Sequence, residues 1–259
     1  MYDPASPNWI GLRTLYMREV LRFSKVYTQT ILAPVITTLL FLVIFSLALG
    51  GTHRIVVGFP LTQFLAPGLI MMAITQNAFA NTSSSIMVSK VQGNIVDILM
   101  PPLKAYELQL ALVLGGASRG IVVGIAVGIT ISFFVDIGLY SIIFVIFHAL
   151  MASILLSQLG LMAGIWAEKF DHMSAITNFM ITPLAFLSGT FYSIQNLPEL
   201  FQTMAQFNPF FYMIDGFRYG IIGHADGDTL VGCTTIIFIN TFLWLVCGWM
   251  LRSGYKLKA

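Results

Sequence analysis

The sequence predicts an all-α polytopic membrane protein with six transmembrane helices. Three observations predict it. Of 259 residues, 57% are hydrophobic and only 9% charged, against about 45–50% and about 25% in an ordinary soluble domain. Six long apolar runs follow one another along the chain, most near the ~20 residues that cross a bilayer as a helix. The basic residues collect on one side of those runs, the bias that orients a membrane protein. So little charge cannot cover a soluble globule. It also excludes a disordered chain, a collagen, a disulfide scaffold and a nucleic-acid-binding domain. Thirteen Lys and Arg against eleven Asp and Glu are too balanced to imply an acidic partner.

The first element is an amphipathic helix over residues 8–27. On a helical wheel Trp9, Leu12, Tyr16, Val20 and Phe23 gather on one face, with Arg18, Arg22 and Lys25 opposite. That pattern predicts a helix lying on the cytoplasmic leaflet, held by apolar burial and by attraction to anionic lipid. No apolar run precedes its basic residues, so no secretory signal is evident.

Spans follow at 31–50, 61–81, 106–134, 139–167, 174–191 and 230–251. The third and fourth exceed what the bilayer needs, and they accommodate by tilting or projecting. In the third, Gly116, Gly120, Gly124 and Gly128 form one stripe where another backbone can approach closely. Arg119 sits beside it. A charge at that depth faces protein, water or a substrate anion, or snorkels to the interface. Cys233 and Cys247 lie 14 residues apart in the last run, roughly 21 Å on a helix and beyond disulfide reach.

Two connections are unusual. The loop at 88–102 holds a short helix: Asn94 is suited as its N-cap, Ile95, Ile98 and Leu99 make an apolar stripe, and Pro101 and Pro102 end it. Such a stripe fits a groove in another protein; the alternative is a linker helix packed on its own bundle. Residues 194–223 are aromatic and broken by Pro and Gly. Backbone at membrane depth must be bonded internally, so this segment is read as two short helices that dip into the outer leaflet and return. Asp215 and Arg218 are spaced to pair on one face.

Six spans put both termini on one side. That side collects Arg13, Arg18, Arg22, Lys25, Lys90, Lys104, Lys169, Arg252, Lys256 and Lys258; the other holds Arg54 and Arg218. Both termini are therefore expected in the cytoplasm. The sequence has no phosphate-binding G-x-x-x-x-G-K-[ST], no HExxH and no CxxC, and His53, His148, His172 and His224 lack ligand spacing. Neither hydrolytic chemistry nor a proton relay is encoded in any recognisable form.

Residues 65–71 (LAPGLIM), 92–101 (QGNIVDILMP), 181–192 (ITPLAFLSGTFY), Asn208-Pro209 and 216–220 (GFRYG) stand in a characteristic order. In that order, on a chain of this length, the sequence resembles the membrane subunits of ABC exporters of the ABC-2 type (type V exporter fold). The resemblance covers essentially the whole chain, as a single unit over 1–259. It implies that the N-terminal helix, with Trp9, Arg18 and Arg22, is a connecting helix. It implies that Gln92, Gly93, Asn94, Ile95, Asp97, Ile98, Leu99 and Pro101 form a coupling helix received by a separate ATP-binding subunit. The segment with Asn208, Pro209, Asp215 and Arg218 would be the extracellular re-entrant pair. Two permeases and two ATPases would work together in the cell inner membrane, with the path between the permeases. This chain would be non-catalytic and bind no cofactor; ATP and Mg would sit on the partner. Many members have Thr and Glu where this chain has Asn94 and Asp97. Spans one, two and five are expected to line the path, with Thr37, Thr38, Gln76, Asn77, Asn81, Asn178 and Thr182 as its polar points. That lining suits a hydrophobic or amphipathic cargo such as a drug, a lipid or a lipid-linked glycan. An ion-gradient-driven secondary transporter is the alternative, though the spans lack the acidic residues such coupling uses.

Overall fold

The structure, a computed structural model, describes residues 7–48 and 55–257. His53, Arg54, Lys258 and the end of the first expected span fall outside them. Helix α1 (Trp9–Ser24) leads through a π turn (Thr28–Leu32) into α2 (Ala33–Ala48). A two-residue hairpin, β1 (Ile55–Val56) and β2 (Phe59–Pro60), precedes α3 (Leu61–Val91). Then come α4 (Ile95–Leu99), α5 (Ala105–Ser132), α6 (Ile142–Trp166) and α7 (Phe170–Ile176). A second π turn (Thr177–Ile181) joins α7 to α8 (Thr182–Phe186), and α9 (Glu199–Gln206), α10 (Pro209–Ile222) and α11 (Thr229–Ser253) complete the chain.

Each π turn has a local cause. Pro34 and Pro183 stand just beyond them and cannot donate to the helix ladder. A proline ring also clashes with the carbonyl four residues back, so the preceding turn widens.

Among the described residues, four helical segments are long and apolar enough to cross a membrane: Thr28–Ala48, Ala105–Ser132, Ile142–Trp166 and Thr229–Ser253. Helix α3 is not among them, although it is the longest. It stands in the middle of the bundle, packed by α2, α5, α6 and α10, and most of its residues are buried. Its last third, 82–91, is rich in hydroxyls and lies beyond the expected end of that span at Asn81. The hydroxyls there find partners within the protein: Thr82 donates to the Ser157 carbonyl at 2.8 Å, and Ser89 to the Ser85 carbonyl at 2.8 Å. A protein-facing helix has no need of uniform apolarity. The fifth apolar run is also redrawn. It is helical over 170–186 rather than 174–191, and it ends in a turn at Gly189, whose φ is +76°.

The glycine stripe does what its spacing predicts over three of its four members. A Cβ on Gly120 would stand 2.9 Å from the Ile74 carbonyl, and one on Gly116 would meet Ser157 and Thr82. Gly124 is closed by Ile74, while Gly128 has only the tip of Ile70 at 3.8 Å. Helix α6 meets α3 in the same way, through Gly160 against Phe79 and Thr82 and Gly164 against Ser83 and Ile86. Helix α11 is attached by amides. Gln158 donates to Asn240 at 3.2 Å, Asn240 to the Met151 carbonyl at 3.2 Å, and Gln109 to the Trp244 carbonyl at 2.9 Å.

The molecule has two unlike ends. At one, α1, α4 and the terminal turns of α6 and α11 share an apolar cluster with Leu15, Ile98, Leu108, Ile165 and Leu257. Lys90 caps α6 there, donating to the Ile165 and Ala167 carbonyls at 2.8 and 2.6 Å. Lys256 pairs with Glu168 at 2.9 Å, which holds the Glu168 carboxyl below its ordinary value. At the other end α10 packs on α3 and α9 on α10, with a break at Phe207-Asn208 where the Asn208 side chain caps α10.

Candidate functional site

Two adjoining clefts open on either side of α3. One, of about 490 Å³, lies between α3 and the α7–α8 segment and is lined by Gln76, Asn77, Ser83, Ser84, Thr177, Asn178 and Thr182, with Phe79, Phe170 and Met173 among them. The other, of about 250 Å³, lies between α3 and α2 and is lined by Gln29, Thr37, Thr38, Phe41, Met72, Gln76 and Asn77. Gln76 and Asn77 belong to both. Among the described residues, no Asp, Glu, Lys or Arg lines either cleft. Neutral amides and hydroxyls on an apolar wall can hold the polar part of a molecule whose body is apolar.

Six of the seven polar residues expected on the path line these clefts. Asn81 does not. It is buried between α1 and α3, where Arg22 donates to its carbonyl at 2.6 Å and to its side-chain oxygen at 3.0 Å. Arg22 also pairs with Glu19 at 3.0 Å and reaches Ser84 at 3.1 Å. Glu19 is wholly buried and accepts from Ser85 at 2.7 Å. This corrects the expected attitude of α1. Its basic residue Arg22 turns into the bundle, its apolar residues Leu12, Leu15 and Tyr16 join one of the protein's own clusters, and Phe23 is buried as well. Arg18 comes within 3.5 Å of Ser89. Trp9, by contrast, is exposed, as are Ile10, Met17 and Leu21. Sequence reasoning missed Glu19, because a lone acid among arginines on a wheel gives no sign that Gly115 of α5 will bury it. A Cβ on Gly115 would stand 2.6 Å from that of Glu19.

Arg119 is bonded to another helix. Its Nη2 donates to Asn77 Oδ1 at 3.0 Å, and the Asn77 amide donates in turn to the Ala73 carbonyl at 3.0 Å. Arg119 thereby fixes which way Asn77 points between the two clefts.

In the short loop helix α4, Ile95 and Ile98 are buried in the protein's own cluster. Val96, Leu99 and Met100 point outward, with Met100 76% exposed, and Gln92, Gly93, Asn94, Asp97 and Pro101 are exposed around them. The expected stripe of Ile95, Ile98 and Leu99 is therefore split between two faces. A helix of five residues is too short for periodicity to choose its faces. Asn94 occupies the N-cap position, but its side chain makes no capping bond.

At the far end, Asp215 and Arg218 are not loop charges but buried ones. Their ion pair measures 4.0 Å. Arg218 is held more closely by the Gly189 carbonyl at 2.6 Å and by the Phe64 ring, whose centre is 4.0 Å away. Asp215 accepts from the backbones of Asp226 and Gly227 at 2.7 and 3.0 Å. Asn208 donates to the Leu184 carbonyl at 2.8 Å, and Pro209 opens α10.

Long apolar helices thus pack around two polar clefts whose described lining carries no charge. The chain matches the ABC-2 type transporter family over residues 11–222. It belongs to that family. It is 36% identical over 251 residues to the inner membrane transport permease YadH of Escherichia coli (strain K12), covering 97% of this chain and 98% of YadH. It is 24% identical over 240 residues to nodulation protein J of Rhizobium leguminosarum bv. trifolii, covering 92% and 90% of the two chains. Nodulation protein J of Sinorhizobium fredii (strain NBRC 101917 / NGR234) is 21% identical over 226 residues, covering 86% and 85%.

Proposed function

We propose that the chain is the non-catalytic permease subunit of an ATP-driven exporter in the inner membrane. It moves a hydrophobic or amphipathic molecule such as a drug, a lipid or a lipid-linked glycan. Two copies form the path, and two ATP-binding subunits, which carry ATP and Mg, drive it. The observation that carries this reading is the outer face of α4. Ile95 and Ile98 are spent on the protein's own core, while Val96, Asp97, Leu99 and Met100 stay free for a partner.

The other parts fit that assembly. Helix α3 and the α7–α8 segment complete a set of six crossings, with α1, α4 and the basic end in the cytoplasm. Helices α9 and α10 are the re-entrant pair on the outer side. The clefts flanking α3 hold the cargo, Gln76 and Asn77 facing its polar part, and a second copy closes them. Closure of the ATPase pair moves α4 and α1 and so reshapes the clefts. The test is reconstitution of permease and ATP-binding subunit in proteoliposomes. Export must require ATP. Accumulation driven by an ion gradient in the absence of ATP would replace this reading with secondary transport.

A further inference from the structure

One carboxylate joins two parts of the molecule that the sequence keeps almost a hundred residues apart. Glu107, in the first turn of α5, is wholly buried. Its Oε1 accepts from the backbone of Asn8 at 2.8 Å and from the Tyr106 hydroxyl at 3.2 Å; its Oε2 accepts from the backbone of Lys104 at 2.7 Å. Asn8 is itself the N-cap of α1, its Oδ1 accepting from Gly11 at 2.9 Å, and its amide reaches the Pro102 carbonyl at 3.3 Å. The first turn of α1 lies directly on this strip: a Cβ on Gly11 would stand 2.9 Å from Leu103. From α4 the chain reaches the same point through Pro101 and Pro102, two residues whose fixed φ makes a stiff connection.

We infer that Glu107 is a positioning residue that clasps the start of α1 to the far end of the α4 loop, so that a push on α4 moves α1 with it. This rests on the reading of α4 as the partner's docking helix. The carboxylate is the right group for the task. It is the common acceptor for backbone donors on two separate segments, and such bonds to an ionised group are about twice as strong as neutral ones. Losing it removes the shared acceptor of both backbone N–H groups.

The inference is tested with Glu107→Ala and Glu107→Gln in the full-length permease. In proteoliposomes with the ATP-binding subunit, the alanine variant should assemble and hydrolyse ATP within about twofold of the parent. Movement of a fluorescently labelled phospholipid probe per ATP hydrolysed should fall about tenfold, the equivalent of one charge-assisted hydrogen bond. The glutamine variant, which keeps one acceptor oxygen, should fall between. In the permease alone, hydrogen exchange of the Asn8 and Lys104 amides should rise together in the alanine variant. Exchange rising at Lys104 with Asn8 and α1 unchanged would overturn the clasp. So would transport and hydrolysis falling in step with the yield of folded complex. If the parent permease never engages an ATP-binding subunit while both amides respond together, the clasp stands as a structural link and the reading of α4 fails.

Discussion

At the scale of single residues, the charges that lie inside this protein are placed for packing and orientation. Glu19 and Arg22 illustrate it. The carboxylate is fully buried and the guanidinium about one-third exposed, so removing one partner leaves a buried charge uncompensated. With Arg22 partly open to solvent, Arg22→Ala should lower the stability of the detergent-solubilised protein by about 2–3 kcal/mol, less than breaking a fully buried pair costs. Adding Glu19→Gln should recover part of that loss, and a double-mutant cycle in thermal unfolding measures how much. Arg119 was legible as a deep charge but its partner was not, since nothing in the sequence states that Asn77 of α3 faces it. Asp215 and Arg218 were legible as a pair by their spacing. Their burial was hidden, because it comes from Phe64, Gly189 and the backbone around Asp226.

At the scale of elements, apolar runs and glycine spacing carried most of the information. The four segments long and apolar enough to cross a membrane lie within a few residues of where the runs place them. What the runs could not show is any helix that faces protein on all sides. The hydroxyl-rich last third of α3 reads as a polar loop until Ser157, Glu19 and the helix's own carbonyls satisfy it. The stripe on α5 makes a graded prediction. Gly120→Ala forces a methyl against the Ile74 carbonyl and should cost about 1–3 kcal/mol. Gly128→Ala enters ordinary contact and should be neutral or gain up to about 1 kcal/mol from helix propensity. Thermal unfolding of the two variants separates them; equal losses would mean that α3 and α5 do not meet as described. Helix α4 makes the sharper one. Ile98→Asp puts a charge into the cluster with Leu15 and Ile165 and should unfold that end of the molecule. Leu99→Asp lies on the exposed face and should leave the fold intact while abolishing recovery of the complex with the ATP-binding subunit. Size-exclusion chromatography of each variant alone and with the partner reads both outcomes.

At the scale of the whole molecule, the two ends and the middle divide the labour. The basic end gathers the elements that a cytoplasmic partner would move. The middle offers clefts whose described lining carries no charge, and the far end is fastened by buried polar bonds around Asp215, Asp226 and Arg218. The sequence made the scarcity of ionisable groups in the spans plain. It could not show that the polar residues of α2, α3 and the α7–α8 segment converge, because they are brought together only by helix packing. Family membership places the chain among transport permeases, and the exposed face of α4 is where we propose that a partner acts on it. The most direct test is ATP hydrolysis by the ATP-binding subunit that co-purifies with the tagged permease, measured in lipid with the parent chain and with Leu99→Asp. The account predicts hydrolysis that depends on the permease and is lost with the folded Leu99→Asp variant. Hydrolysis indifferent to both, or transport driven by an ion gradient without ATP, would contradict it.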